Sequence, residues 1–592
     1  MMVPRCGLMW RSRGLPTIFT AMKQILLLFI WVLLECVPIS SFSQPFETRY
    51  ERSGGTETAT YAEVIAFYKT LATRYSSVTI DSVGETDAGY PLHVVYYNYK
   101  PGSKQVTLLI NNGIHPGEPD GIDACMLLLR NAAMGKIEIP ENVALAVIPV
   151  FNIGGMLNRG CCSRVNQNGP KEYGFRGNSQ NLDLNRDFVK LDARETQSLI
   201  RLFHKLDPDV FIDNHVSDGA DYQHVVTLLS TQHDKLGGEV GKYMHNTLEP
   251  LIYKDMKQKG YDLVPYVNDF DKTPDQGWVE FYEPARFSSG FAALFQTFAF
   301  VPETHMLKPY WERVQSTYAL LRTFISITSA HIDDIKEARR ADRKQLMAAT
   351  TYHLHWVADT TRFDKVTFKG YAAGYKPSEV SGLPRLYYDH TKPYVKQVNF
   401  YNHFVSTDTI TYAAAYVVPG QWHDVIIRLK WNGVAMQHLD KDTVMEVNVC
   451  HIDNYETVPR PYEKHYLHKN VKVHWIRQSI PVVKGDYIVA IRQPAKRYIT
   501  EVLEPTGTDA FLAWGFFDGI LQQKEYYSDY VFEDDAARIL KKNSSLKQRL
   551  NEKKKTDAVF AKSASQQLDF IYNNSPYHEP EYMQYPVYRI EQ

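Results

Sequence analysis

The sequence predicts an α/β domain followed by a β-rich region. Between residues 44 and 349, short apolar strand-like runs alternate with helix-like stretches, which is the pattern of a layered α/β domain. From about Thr350 the composition shifts to Tyr, Val, Thr and His in short alternating segments, which is typical of a β-sandwich-like domain. A chain of 592 residues is too long for one hydrophobic core, so two or more domains are expected.

Four parts are expected along the chain. They are a signal peptide (1–43, with Met22 as a possible true start), the α/β domain (44–349), a β-rich accessory domain (350–505) and a mixed C-terminal extension (506–592). The signal peptide is indicated by an unbroken apolar run over residues 25–34, which follows Lys23 and is too short to span a bilayer. We therefore expect a secreted or periplasmic protein with no stable membrane span after cleavage; a retained membrane anchor is the alternative.

Local signals place the elements in order. Thr60 and Glu63 form a capping box that opens a helix to about Thr73. Apolar runs predict strands at 92–98, 106–110, 143–150, 210–213 and 298–302, and helices are predicted at 195–206, 239–259 and 309–349. In the β-rich region the strand-like segments are 409–418, 424–429, 443–449 and 471–475, and a charged helix is predicted at 536–555.

Composition and cysteine content narrow the function classes. The formal net charge is −1, so no basic excess points to nucleic acid. The spacing of Cys125, Cys161, Cys162 and Cys450 suggests neither a zinc knuckle nor a disulfide scaffold. Cys125 falls in an apolar helix and is expected to be a buried thiol. Neighbouring cysteines such as Cys161 and Cys162 rarely bridge each other, so the sequence demands no disulfide.

Polar residues follow three of the predicted strands. His115 and Glu118 lie on the turn after the strand at 106–110, His215 ends the strand at 210–213, and Glu303 follows the strand at 298–302. Open α/β sheets build their sites at such strand ends. Two ligands on one turn and a distant His would suit a catalytic zinc, which takes about three protein ligands and keeps one position open. His-x-x-Glu alone is weak, and a solvated loop is the alternative.

A further run, Arg-Gly-Asn-Ser-Gln-Asn-Leu-Asp-Leu-Asn-Arg over residues 176–186, completes a pattern. With it, the sequence resembles the M14 family of zinc carboxypeptidases over about residues 61–321. The resemblance implies a mixed twisted sheet with helices on both faces. It also implies that His115, Glu118 and His215 bind one zinc ion and that Glu303 is the general base.

The resemblance implies roles for the same run of residues. Asn185 and Arg186 would grip the free carboxylate of a peptide, which a planar guanidinium can bind through both oxygens. Asp183 would hold His115 as a supporting partner. Arg176 would polarise the scissile carbonyl, with Arg164 as a rival for that role. Arg186 has the alternative of pairing at the surface with Asp183 or Asp187.

Other positions stay open at this point. Tyr282, 21 residues before Glu303, is a candidate for the substrate-binding Tyr that many family members carry on a mobile loop. His204 and His224 compete with His215, and His305 with Glu303. The pocket for the terminal side chain is expected near residues 286–290, where no acidic residue appears, so a strict preference for basic termini is not supported. Arg286 could favour acidic substrates or brace the loop.

The expected function is that of a zinc-dependent metallocarboxypeptidase. Its partner would be a peptide with a free C-terminal carboxylate, cleaved at the last peptide bond by a water that zinc activates and Glu303 deprotonates. The alternative is a zinc amidohydrolase or deacylase acting on N-acyl amino acids or cell-wall peptides. A non-catalytic binding protein, in which the β-rich region does the work, is a third possibility.

Overall fold

The computed structural model describes residues 46–268 and 272–591. Thr48–Gln592 cluster as one unit, and the description below is of that unit. The predicted signal peptide and Met22 lie outside the described residues. Among those that are described, no helix is long and apolar enough to cross a membrane.

A mixed eight-stranded sheet organises the N-terminal half. The strands of this half are β1 (Val78–Glu85), β2 (Pro91–Tyr97), β3 (Val106–Asn111), β4 (Val143–Ile148), β5 (Val210–Asp213), β6 (His215–Ser217), β7 (Val226–Ser230), β8 (Trp278–Val279) and β9 (Phe298–His305). The sheet runs β1-β2-β4-β3-β5-β9-β6, with β7 also paired to β9, while β8 joins another sheet. Neighbours from β4 to β6 are parallel, and β1, β2 and β7 are antiparallel additions.

Helices surround this sheet, and the predicted α/β class is confirmed. The α-helices span Arg49–Arg52, Tyr61–Arg74, Asp120–Ala133, Ile153–Leu157, Arg194–Leu206, His233–Leu236, Gly238–Tyr243, Glu249–Gln258, Ser288–Ala293, Tyr310–Ala330 and Ile332–Ala348. The predicted capping box is present: the Thr60 hydroxyl accepts from the Glu63 amide, and the Glu63 carboxylate accepts from the Thr60 amide. The helical stretch predicted at 309–349 is two helices, separated at His331.

The central strands bring the candidate residues to one edge of the sheet. β5 is wholly buried and β3 nearly so, with apolar runs that fit strands buried on both faces. Gly113 follows β3 with a φ of 66°, a left-handed conformation that glycine adopts readily, and so turns the chain toward His115. His215 begins β6, directly after β5, and stands opposite Glu303 of β9 in the parallel register.

The C-terminal half is β-rich, as predicted. Its strands are β10 (Thr351–Tyr352), β11 (Trp356–Ala358), β12 (Asp364–Pro377), β13 (Pro384–Tyr401), β14 (Phe404–Ser406), β15 (Ile410–Thr411), β16 (Ala415–Val418), β17 (Gln437–His438), β18 (Thr443–Thr457), β19 (His468–Val482), β20 (Tyr487–Ala490) and β21 (Gln584–Ile590). Six of them form a sheet in the order β17-β20-β16-β21-β18-β19, and β12 and β13 form a long hairpin to which β8 adds in parallel.

Helices interrupt this half at His423–Trp431, Lys496–Leu503, Asp529–Lys542, Ser544–Thr556 and Ala564–Tyr572. The strand predicted at 424–429 was wrong, because this segment is the helix His423–Trp431. Val425, Ile426 and Leu429 are buried together on one helical face, a spacing of one and four residues that a β-branched run disguised. The charged helix predicted at 536–555 is divided between two helices that meet at Asn543.

One cysteine expectation was also wrong. Cys161 and Cys162 form a disulfide with each other, although sequence neighbours rarely do so. Cys125 is a buried free thiol, as expected, and Cys450 is buried and free as well.

Candidate active site

Three buried side chains form a cluster with the donor set of a catalytic zinc site. One donor atom each from His115, Glu118 and His215 lies within 4.8 Å of the other two. All three residues are at most 5% exposed. The Nδ1 atom of His115 is buried, lies 3.3 Å from Glu118 Oε1 and has no hydrogen-bond partner among residues 46–268 and 272–591. A buried polar atom left unpaired is costly, so this nitrogen fits a bound cation. The predicted ligands are thus brought together.

Carboxylates behind the two imidazoles orient them. His115 Nε2 is 2.9 Å from Asp183 Oδ1, which leaves Nδ1 to face the cluster. Burial tends to raise the pKa of Asp183, but His115 and Arg176 outweigh it and hold that pKa well below its usual range. Asp213, which sequence reasoning missed, lies 3.2 Å from His215 Nε2 and accepts a hydrogen bond from Asn111. Such partners fix the tautomer and orientation of a ligating histidine.

Two arginines approach the cluster from the same side. Arg164 Nη1 is 2.7 Å from Glu118 Oε1, and its Nη2 donates to the Val216 carbonyl. Arg176 is held by Asp183 Oδ2 at 2.9 Å and lies 3.6 Å from the same Glu118 oxygen. The side chain of Arg176 is 44% exposed, against 18% for Arg164. Arg164 is therefore committed to Glu118, while Arg176 keeps more of its surface toward the open cavity.

Arg186 is a cation with spare donors. Its Nη1 donates to the Asn185 carbonyl at 2.7 Å, and its guanidinium carbon stands 4.1 Å from the centre of the Phe287 ring. Within the described part of the chain no carboxylate lies within 4.0 Å of it: Asp187 pairs with Lys190, and Asp183 with His115 and Arg176. The surface pairing considered from sequence is thus not formed.

Glu303 faces the cluster from β9. Burial raises its pKa to about 8, the nearby His215 opposes that shift, and the charges of Glu118 and Asp218 add to it. A carboxyl group with a pKa near neutrality can both accept and return a proton at physiological pH. The alternative to Glu303, His305, stacks on Tyr222. His224, one alternative to His215, bonds to the Asp262 carbonyl. His204, the other alternative to His215, contacts Asn432.

These groups open into one cavity of about 390 Å³. His115, Glu118, His215 and Glu303 line it, and so do both arginine candidates, Asn185 and Arg186. Several further lining residues were missed from sequence, among them Tyr266, Phe281 and Glu283. Glu283 matters most, because its carboxylate is nearly buried and receives a hydrogen bond from Ser289. An acidic group therefore faces the cavity just before the segment in which none was expected.

Tyr282, the candidate for a substrate-binding tyrosine, does not line the cavity. Its ring packs against Phe404 at 5.3 Å, and the Lys235 ammonium lies 4.9 Å from its centre. Residues 281–283 follow the short strand β8 and belong to no helix or strand. Phe281 and Glu283, on either side of Tyr282, line the cavity, whereas Tyr282 does not.

The C-terminal half reaches the rim of the site. The Asp183 amide donates to Glu463 Oε2 at 2.8 Å, and His465 Nε2 lies 2.7 Å from Asp192. Arg286, which was considered as a selector of acidic substrates, instead pairs with Asp509 at 2.8 Å. It braces the loop, which was the second expectation for it.

Comparisons with known proteins agree with this site. No family model matches the chain. Carboxypeptidase 2 of Trichophyton rubrum is 21% identical over 501 residues, which cover 80% of this chain and 87% of that protein. Carboxypeptidase 2 of Trichophyton equinum is 20% identical and covers 70% of this chain and 75% of that protein. At about one-fifth identity, the chain is thus similar to proteins named as carboxypeptidases, in agreement with the resemblance drawn from its sequence.

A solved metallo-carboxypeptidase from Burkholderia cenocepacia overlaps 45% of this chain and 68% of its own, with 14% identity and a TM-score of 0.36. An overlap of this extent does not support a functional assignment.

Proposed function

We propose that the chain is a zinc-dependent metallocarboxypeptidase that removes the C-terminal residue of peptides. The observation that carries the proposal is Arg186, a guanidinium without a carboxylate partner among the described residues, in the same cavity as the His115, Glu118 and His215 cluster. A free cation beside a hydrolytic centre suits a substrate whose chain ends in a carboxylate.

The residues divide the work as follows. His115, Glu118 and His215 would hold the zinc ion, which when bound supplies Lewis-acid activation of water. Glu303 takes a proton from the attacking water and later returns it to the leaving amine. Arg186, with Asn185, fixes the terminal carboxylate and so aligns the last peptide bond with the cluster.

An arginine is proposed to stabilise the oxyanion. Both arginines pair with carboxylates, but Arg176 is the better candidate because it lies farther from Glu118, at 3.6 Å against 2.7 Å for Arg164, and because its side chain is the more exposed. Removing one such donor typically costs about 10²–10³ in rate. Tyr266 and Phe281 would complete the walls around the substrate.

Hydrolysis of a peptide panel tests the proposal. Each peptide is offered with a free and with an amidated C-terminus to the wild type, to Glu303→Gln and to Glu379→Gln, with and without a chelator. Glu379→Gln is the control, because it makes the same chemical change at an exposed residue that does not line the cavity. We expect free termini to be cleaved only by the wild type and the Glu379 variant, and only with metal.

Other outcomes redirect the assignment. Equal cleavage of amidated peptides would remove Arg186 as the carboxylate anchor and point to an endopeptidase or amidase. Turnover of N-acyl amino acids or cell-wall peptides without cleavage of longer peptides would support the deacylase alternative. No turnover at all would favour a binding protein. We also propose that the enzyme is exported, which rests on the apolar run at residues 25–34.

A further inference from the structure

A second group of metal-ligand side chains lies outside the catalytic cluster. His233, Asp234 and His403, called here the second triad, each offer a donor atom within 4.8 Å of the other two. His233 Nε2 is 3.5 Å from Asp234 Oδ2. The rings of His233 and His403 stand at 90° to each other with centres 5.3 Å apart, so their nitrogens can converge on one point.

The triad has an unsatisfied donor. Nδ1 of His403 is buried and has no hydrogen-bond partner in the part of the chain that the structure describes. Neutral imidazoles and a carboxylate are the ligands that a divalent transition metal needs. A buried ring nitrogen left without a partner is costly, and a cation bound by the triad would satisfy it.

His245 lies beside the triad but does not extend it. Its ring stacks on His233 at 4.2 Å with only 18° between the planes. A metal lies in the plane of each imidazole that binds it, so two nearly parallel rings at this separation cannot both bind one ion. Asp364, 3.6 Å from His245 Nε2, adds negative charge nearby.

We propose that the second triad binds one divalent transition-metal ion of the zinc class, at a site separate from the catalytic cluster. Two imidazoles and one carboxylate supply three ligands, and water supplies the fourth. The side chains of His233 and Asp234 are 13% and 27% exposed, so an ion can enter from solvent.

The position of the triad gives such an ion a structural role. His233 and Asp234 follow β7, whereas His403 follows β13 of the long hairpin. The two segments already touch, since Gln232 Nε2 donates to the Asn402 carbonyl and the Phe404 amide donates to Asp234. Bonds from a metal ion to all three side chains would hold the two segments together more strongly than these hydrogen bonds do alone.

The same hairpin supports the catalytic cavity. β13 pairs with β8, and the Glu280 amide donates to the Tyr401 carbonyl at 3.0 Å. Residues 281–283, two of which line the cavity, follow directly. The second ion would therefore hold one wall of the substrate cavity through the hairpin.

Metal counting on the full chain tests this inference. After zinc loading and gel filtration, elemental analysis should give two equivalents for the wild type and one for His403→Ala. His403→Gln, which keeps most of the side-chain volume, should also bind one. The exposed His423→Ala is the matched control and should keep two. One equivalent in the wild type, or two in both His403 variants, would overturn the second site.

A thermal readout separates the two sites. In a His215→Ala background the catalytic cluster is disabled, and zinc should still raise the melting temperature by several degrees. Adding His403→Ala to that background should abolish the rise. A rise that survives the double change would refute the assignment. Neither measurement depends on peptide turnover, so the second site stands or falls independently of the proposed function.

Discussion

Replacing Arg186 tests whether the cavity recognises the end of a chain. Arg186→Met keeps an unbranched apolar side chain but removes the guanidinium that stands over the Phe287 ring, and with it every N–H donor. Among the residues that the structure describes, only one of the five guanidinium N–H groups forms a hydrogen bond, to the Asn185 carbonyl. Enough donors therefore remain to bind both oxygens of a substrate carboxylate.

The size of the effect follows from those bonds. A hydrogen bond to a charged group contributes roughly 1.5–3 kcal/mol, so two parallel bonds contribute about 3–6 kcal/mol. At about 1.4 kcal/mol per tenfold change, kcat/KM for free-terminus peptides should fall by roughly 10²–10⁴. Arg186→Lys keeps the charge but not the fork and should lose less.

Steady-state kinetics on paired peptides measures this loss. Any residual hydrolysis of amidated peptides should be the same in Arg186→Met and the wild type, so that the preference for free termini collapses. Arg194→Met, on an exposed helix end, is the matched control and should keep the wild-type preference. The reasoning fails if Arg186→Met retains that preference, or if its zinc content falls with its activity.

Three more outcomes are expected. Glu283→Gln should lower kcat/KM for peptides ending in Lys or Arg by about ten- to a hundredfold relative to peptides ending in Leu, because one buried charge partner is lost; an unchanged ratio contradicts this. Asp183→Asn should weaken zinc binding by about 10–100-fold in a chelator competition, because Asp183 supports His115, and equal affinity contradicts that role. Burial lowers the pKa of His224 to about 4, and its nitrogens bond to the Asp262 carbonyl and the Lys369 amide, so the neutral ring is favoured. The contribution of His224 to the free energy of unfolding is full above about pH 6.5 and is lost as the pH falls toward 4. Urea unfolding should therefore show that the wild type loses about 2 kcal/mol more than His224→Gln between about pH 7.5 and about pH 5. Equal losses would contradict it.

The sheet and the metal cluster were predictable because parallel strands buried on both faces are continuous apolar runs in the sequence. β3, β5 and β9 are such runs, and each is followed or ended by a polar residue whose burial calls for a functional role. His115, His215 and Glu303 could therefore be placed from sequence. Glu118 was placed with His115 on the same turn, and the resemblance supplied Asp183 and the roles.

The cavity walls were not predictable in the same way. Tyr282 was chosen by its distance in sequence from Glu303, but the side to which its ring points depends on the path of the chain after β8. β8 is a strand because β13, more than a hundred residues later, pairs with it. The disulfide between Cys161 and Cys162 and the helix at His423–Trp431 likewise depend on tertiary context that local patterns do not carry.

The walls of the cavity are held by contacts from distant segments, which bears on what the C-terminal half is for. The Asp183 amide bonds to Glu463, the Arg286 amide and guanidinium bond to Asp509, and the Glu280 amide bonds to Tyr401. Each contact leaves a polar group unpaired if its C-terminal partner is removed, and unpaired buried groups are costly. Asp183 in turn orients His115, and residues 281–283 carry two lining side chains. The β-rich half therefore acts on the candidate site by positioning its supports, through bonds that span more than a hundred residues of sequence.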